Sequence, residues 1–157
     1  MEQRINMLQK GQAAFKAIYP LGVYLSKASV EQHLLELMYF RVSQINRCAY
    51  CLDMHSKDLR AAGETEQRLY MISAWRESPV YTDRERAALA WAEAVTVVTD
   101  GFVPDEVYNH VRSQFSEEEI IDLTMAVITI NTYNRLNVAF RTPAGGYQVG
   151  QHAVKAN

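Results

Sequence analysis

Three helix-start signals divide this 157-residue chain into helical segments, and they constrain its fold more than any other feature. In each signal a serine or threonine lies three residues before a glutamate or glutamine, which is the pattern of a capping box. The signals are Ser29–Gln32, Thr82–Glu85 and Ser116–Glu119, opening segments that run to about Ile45, Val98 and Phe140. No alternating apolar and polar run bounded by turn residues calls for a β-sheet. The sequence therefore predicts an all-α fold.

Single residues mark the ends of the helices in between. Asn46 is expected to cap a helix over residues 47–62, and Gly63 suits the position just past its end. Thr65 is expected to cap the next helix, over about residues 66–76.

The first and sixth helices are marked by prolines. Pro104 fits the first turn of a helix that ends near Phe115. The N-terminal helix, from about residue 3, is expected to end near Pro20, unless Pro20 only kinks a longer helix.

Length and composition favour one compact domain. A chain of this length with 48% hydrophobic residues can bury one core and is short for two. We expect a single-domain bundle of about six to seven helices over residues 1–140. Residues 141–157 contain three glycines and a proline but no apolar period, so this Gly-rich C-terminal tail is predicted to lie on the domain or on a neighbouring subunit.

The charge pattern excludes several classes of protein. The net charge is −2, and no block of lysine and arginine resembles a footprint for nucleic acid or an anionic membrane. The polar N-terminus lacks an apolar signal region, and no stretch approaches the roughly 18 apolar residues that span a bilayer. We therefore expect a soluble, cytoplasmic protein with no nucleic-acid or membrane partner.

The chemistry of the chain is concentrated around its two cysteines, Cys48 and Cys51. On a helix at about 100° per residue, both thiols and His55 fall within an arc of roughly 60°. Cysteines at i and i+3 have Cα atoms about 5 to 6 Å apart, which a disulfide accepts. Because so short a disulfide loop adds little stability, and because the cytosol is reducing, the pair is expected to be catalytic or metal-binding rather than structural.

Activation of a thiol needs a nearby base or positive charge, since a free cysteine with a pKa of about 8.5 is mostly protonated at pH 7. The helix N-terminus favours an anion at Cys48, and His55 lies at i+4 from Cys51, placed to take its proton. Glu36 lies about nine residues before the break at Asn46, as His55 lies about nine after it, so an antiparallel hairpin places them level. We therefore assign Glu36 as the group that orients His55.

The roles of the two cysteines follow from their neighbours. Cys51, nearer His55, is predicted to attack a peroxide and become a sulfenic acid, and Cys48, expected to be more exposed, then condenses with it. Three asparagines, Asn131, Asn134 and Asn137, interrupt an apolar helix at i, i+3 and i+6. They are expected to bond buried backbone ends, and a position lining the cysteines is the alternative.

Other uses of a C-x-x-C motif lack their context in this sequence. A structural zinc site needs a second pair of ligands, which the chain does not offer. A thioredoxin-like motif needs a βαβ unit, and a c-type haem site needs histidine directly after the second cysteine, where Leu52 stands.

Glu36 is followed by the motif Cys48-x-x-Cys51-x-x-x-His55. This arrangement resembles that of the alkylhydroperoxidase D family, within the carboxymuconolactone decarboxylase superfamily. The resemblance extends over about residues 15–140 and includes the segments 41–46, 54–64, 74–78, 82–96 and 130–135. It implies an all-helical subunit, assembled into trimers or hexamers, whose cysteine pair reduces organic hydroperoxides. It further implies that a dihydrolipoamide- or thioredoxin-like dithiol supplies the electrons and that no metal or flavin cofactor is needed.

The chain departs from this family at two positions. Tyr50 stands where some members carry a second histidine, and Arg47 stands where glycine is frequent. Decarboxylases of the superfamily act without a cysteine pair, so Cys48 and Cys51 argue against that branch.

The leading hypothesis is an alkyl hydroperoxide reductase with Cys51, Cys48, His55 and Glu36 as catalytic residues. The alternative is a thiol-disulfide oxidoreductase or redox sensor that uses the same pair on a protein partner. A third class is a helical assembly protein whose cysteines are inert.

Overall fold

The computed structural model describes residues 2–152, which form eight α-helices, one 3₁₀ turn and no β-strand. The all-α prediction is confirmed. The elements are α1 (Met7–Lys10), α2 (Gln12–Leu25), α3 (Gln32–Ile45), α4 (Ala49–Ala61), α5 (Glu66–Met71), the 3₁₀ turn (Ile72–Ala74), α6 (Asp83–Thr96), α7 (Asp105–Gln114) and α8 (Glu117–Phe140). None of the helices within residues 2–152 is both long and apolar enough to cross a membrane.

The N-terminal segment forms two helices, which accounts for one more helix than expected. Asn6 caps α1, and Gly11 ends α1 and precedes α2. The expected helix end near Pro20 is wrong and the alternative of a longer helix holds, because α2 contains Pro20 and continues to Leu25. Proline removes one backbone hydrogen bond from a helix interior, and the packing of α2 against α8 offsets that loss.

Two of the three predicted capping boxes form. Thr82 and Ser116 each accept a hydrogen bond from the backbone N–H three residues on, and the glutamate there bonds back to the cap. The box predicted at Ser29 is wrong, since Glu31 is the N-cap of α3 and makes no side-chain cap bond. The Gln32 side chain instead donates to the Leu25 carbonyl at the end of α2, 2.8 Å away.

The third helix lies at the centre of the molecule and packs against α4, α6 and α8. One side of α3 contributes Leu35, Met38 and Val42 to a core shared with α2, α6, α7 and α8. The other side contributes Leu37 and Phe40 to a second core shared with α4, α5, the 3₁₀ turn and α6. With cores on both sides, α3 is a rigid platform for α4.

The described part of the tail, residues 141–152, lies on α4. Tyr147 is buried, and its hydroxyl donates to Asp58. Lys57 Nζ donates to the Tyr147 carbonyl at 3.0 Å, and the Gly145 N–H donates to Asp53 at 2.9 Å. This segment therefore packs on its own subunit, and residues 153–157 lie outside the described part of the chain.

Candidate active site

The turn between α3 and α4 sets the position of the cysteines. Arg47 adopts a left-handed conformation with φ of 55°, the Arg47 N–H donates to the Gln44 carbonyl, and the Cys48 N–H donates to the Ser43 carbonyl. This pair of bonds is a Schellman motif, which reverses the chain within two residues. Asn46 is therefore the C-cap of α3, and the prediction that it caps α4 is wrong.

Two asparagines of α8 form hydrogen bonds with this turn. Asn46 Nδ2 donates to Asn131 Oδ1 at 2.9 Å and to Asn134 Oδ1 at 2.8 Å. Asn134 is fully buried, and its Nδ2 donates to Ser43 Oγ at 3.1 Å. Asn134 thus bonds to side chains of the turn, whereas Asn131 Nδ2 also donates to Thr96 Oγ1 on α6 and to the Val127 carbonyl within α8. The sequence favoured partners on buried backbone ends.

Cys48 and Cys51 form a disulfide, with Cα atoms 5.4 Å apart. Cys48 is the N-cap of α4, and its sulfur accepts the Cys51 N–H at 3.4 Å. Both residues are 1% exposed, so the prediction that Cys48 is the more exposed is wrong. A cap position lies at the helix end, but here the end is covered by the α3–α4 turn and by α8.

His55 and Glu36 meet across the hairpin as the spacing predicts, with His55 Nδ1 2.7 Å from Glu36 Oε2. The imidazole is 6% exposed and the carboxylate 35% exposed. Because a carboxylate only accepts hydrogen bonds, Nδ1 carries the proton, and Nε2 of the neutral ring presents a lone pair. Nε2 is buried and has no hydrogen-bond partner among the described residues. The pair is therefore a partly buried base whose reactive nitrogen is free.

Two further side chains line this site. The Tyr39 ring lies 5.4 Å from the His55 ring, and burial, with a smaller effect of Glu36, raises the pKa of Tyr39 well above its usual range. Asn137 Nδ2 lies 3.5 Å from Cys51 Sγ. The alternative that an asparagine lines the cysteines therefore holds for Asn137. The i+3 spacing of Tyr39 from Glu36 is the sequence signal for its place here.

Tyr50, one of the two positions that depart from the family pattern, is in contact with the C-terminal tail. The Tyr50 hydroxyl lies 2.8 Å from Nε2 of His152, which is exposed at the surface. His33 is also exposed and is paired with Glu64 at 3.1 Å. No group of three or more His, Cys, Asp and Glu side chains within residues 2–152 is arranged to hold a metal ion.

The sequence profile of the carboxymuconolactone decarboxylase family matches residues 12–94, which run from α2 to α6 and include Glu36, Cys48, Cys51 and His55. The uncharacterized protein YdfG of Bacillus subtilis is 39% identical over 139 residues, covering 88% of this chain and 95% of that protein. The chain belongs to the carboxymuconolactone decarboxylase family.

Solved structures place it among the alkylhydroperoxidase D-like members of the family. A protein of unknown function from Agrobacterium tumefaciens, named as a proposed antioxidant defence protein AhpD, is 42% identical with a TM-score of 0.89. The match covers 93% of this chain and all of that one. The debrominase Bmp8 is 20% identical with a TM-score of 0.78, over 88% of this chain and 74% of Bmp8, and shares the fold.

Proposed function

We propose that this protein is a thiol-dependent peroxidase that reduces organic hydroperoxides through the Cys48–Cys51 pair. The observation that carries the proposal is the free, buried Nε2 of His55, oriented by Glu36 and one helical turn from Cys51. A cysteine in that position can be deprotonated at neutral pH and is shielded from most competing reactions.

In the first step His55 Nε2 removes the proton of Cys51, and the thiolate attacks the terminal oxygen of the hydroperoxide. The S–O bond forms as the O–O bond breaks, and the proton held by His55 passes to the leaving alkoxide, which becomes an alcohol. The Glu36 carboxylate stabilises the imidazolium between these two proton transfers.

In the second step Cys48 attacks the sulfur of the Cys51 sulfenic acid. The S–S bond forms, the S–O bond breaks, and the departing hydroxide takes up the proton that Cys48 released and leaves as water. The Cys48 thiolate is favoured by its place at the N-cap of α4, where the Cys51 N–H and the helix dipole act on it. The two thiols have thus each supplied one of the two electrons that reduce the peroxide.

In the third step an external dithiol reduces the disulfide and becomes a disulfide itself. Because both sulfurs are 1% exposed, a slender dithiol arm of the dihydrolipoamide type reaches them more readily than a flat protein surface. The same burial disfavours the alternative, a thiol-disulfide oxidoreductase or redox sensor that docks directly on a folded partner.

The proposal is tested by intact mass after adding cumene hydroperoxide to pre-reduced wild type, Cys48→Ser and Cys51→Ser. Wild type is expected to lose two hydrogens and to yield one cumyl alcohol per subunit. Cys48→Ser is expected to gain one oxygen that a sulfenic-acid reagent traps, and Cys51→Ser to do neither. A sulfenic acid in Cys51→Ser alone would reverse the roles of the cysteines, and inert thiols in all three proteins would remove the proposal.

A further inference from the structure

The asparagines of α8 lie along one side of the helix, three residues apart, and they reach different parts of the site. Asn131 and Asn134 hold the α3–α4 turn through Asn46 and Ser43. Asn137, one turn further along, reaches past the turn to Cys51, with Nδ2 3.5 Å from Sγ. Asn137 is only 9% exposed, so this amide and this sulfur share a largely dry environment.

Support of the fold does not account for the Asn137 side chain. The side-chain amides of Asn131 and Asn134 each bond to two or more protein groups around the turn. Among the described residues, the Asn137 side chain makes no hydrogen bond other than the one to Cys51 Sγ. A largely buried amide whose one partner is a sulfur is placed for a charge that develops there, since a thiolate accepts hydrogen bonds more strongly than a thiol or a disulfide.

We propose that Asn137 is a catalytic residue that donates a hydrogen bond to the Cys51 thiolate and lowers the pKa of that thiol. The role in peroxide reduction rests on the function proposed above, whereas the effect on the thiol does not. Each cysteine then has its own donor, the Cys51 N–H for Cys48 and the Asn137 amide for Cys51. The Cys51 thiolate is thereby stabilised for attack on the peroxide, and the Cys48 thiolate is stabilised afterwards for closure of the disulfide.

The donor complements His55 because the two groups respond differently to pH. An amide does not titrate, so Asn137 donates at every pH, whereas imidazole alternates between accepting and donating a proton. Asn137 thus stabilises the thiolate from the moment His55 takes the proton of Cys51 until the sulfur attacks the peroxide.

The test measures the pKa of Cys51 in a Cys48→Ser background, from the rate of alkylation by iodoacetamide against pH. Serine is itself a favoured N-cap, so the start of α4 is retained. Asn137→Leu, which is close in size but has no donor, is expected to raise the Cys51 pKa by about one unit, as the loss of a hydrogen bond to a charged group implies. Asn137→Asp, which matches the asparagine in shape, is expected to raise it further because it adds a negative charge.

The alkylation rate at high pH distinguishes a raised Cys51 pKa from a disrupted structure. Above the raised pKa, Asn137→Leu is expected to alkylate at least as fast as the parent, since a more basic thiolate is the better nucleophile. Asn109 is exposed on α7, and Asn109→Leu and Asn109→Asp are the matched controls that should leave the Cys51 pKa unchanged. If Asn137→Leu fails to fold, the NMR titration of the unaltered Asn137 side chain carries the test.

The unaltered side chain gives a second readout. In Cys48→Ser with Asn137 intact, the side-chain amide protons of Asn137 are expected to shift in an NMR titration with the same pKa as Cys51. An unchanged Cys51 pKa in a folded Asn137 variant, or amide protons that ignore the titration, would overturn the inference. Because alkylation uses no peroxide, a shifted pKa in a protein that fails to reduce peroxides would instead remove only the proposed function.

Discussion

In the proposed mechanism, the pairing of His55 with Glu36 is the contact that makes the two cysteines reactive. Nδ1 is held at 2.7 Å by the carboxylate, which fixes the ring and leaves Nε2 free. His55→Gln should slow the reaction of the reduced protein with a hydroperoxide by about 10²-fold or more, because it removes a positioned base. Stopped-flow oxidation of the reduced protein measures this.

Comparing Glu36→Gln with His55→Gln separates the contribution of the carboxylate from that of the imidazole. Glu36→Gln keeps an acceptor for Nδ1 but removes the charge that stabilises the imidazolium, so its loss should be smaller than that of His55→Gln. His110→Gln, on α7, is the matched control. Equal rates for His55→Gln and His110→Gln would show that His55 takes no part.

Residue spacing predicted the pairing of Glu36 with His55, but not the environment of the sulfurs. The hairpin brings together residues about nineteen apart, and simple counting from the turn places them level. The burial of Cys48 and the contact from Asn137 depend on α8, which lies some eighty residues away in the sequence. No local pattern around the cysteines carries that information.

For the helices, the effect of each predicted capping box on the free energy of unfolding can be measured directly. Thr82→Ala and Ser116→Ala each remove a side-chain cap that the structure shows, so each should lower the free energy of unfolding by about 1 kcal/mol. Ser29→Ala is the control, because its predicted cap does not form. Urea denaturation distinguishes the two outcomes, and a loss at Ser29 equal to that at Thr82 would contradict the assignment of the α3 N-cap to Glu31.

The capping box predicted at Ser29, which does not form, shows that the start of a helix is determined only in part by the local sequence. Ser29-Val-Glu-Gln32 has the residue types of a capping box, but the Gln32 side chain is used by the end of α2. The same competition applies at Asn46, whose amide is used by α8 rather than by α4. Polar residues at helix ends are well predicted as caps only where no neighbouring element competes for them.

Among the contacts that hold the tail segment 141–152 on α4, the contact with Tyr50 is made by His152. Burial lowers the pKa of His152 from 6.5, with Asp58 acting in the opposite direction. A lowered pKa in the docked state means that docking is at full strength above about pH 6.5 and weakens as the pH falls from there towards the lower, docked value. Proteolytic release of the tail should therefore be faster at pH 5.5 than at pH 7.5.

Two variants test the source of this dependence. His152→Gln should remove most of the difference in cleavage between the two pH values. Tyr147→Phe should speed cleavage at both, because it removes the hydrogen bonds to Asp58. A pH difference that persists in His152→Gln would place the titrating group elsewhere.

At the scale of the whole molecule, an apolar groove of about 270 Å³ between α6 and α8 is open to solvent, and Val98 and Ile128 line it. The family resemblance implies trimers or hexamers, and we propose that this face contributes to that assembly. Ile128→Glu should therefore lower the mass measured by light scattering. Val138→Glu, at an equally exposed position nearer the end of α8, is the control. Unchanged mass in Ile128→Glu would exclude this face from the assembly.

In the proposed function, the buried cysteine pair reacts with a peroxide rather than with a disulfide. The most direct measurement compares the second-order rate constants of the reduced wild type with cumene hydroperoxide, with oxidised glutathione and with a protein disulfide, each relative to free cysteine at the same pH. We expect the rate constant of the protein to exceed that of free cysteine by a large factor for the peroxide alone. Thiols that react with the peroxide no faster than free cysteine, yet exchange rapidly with either disulfide, would contradict it and favour the oxidoreductase.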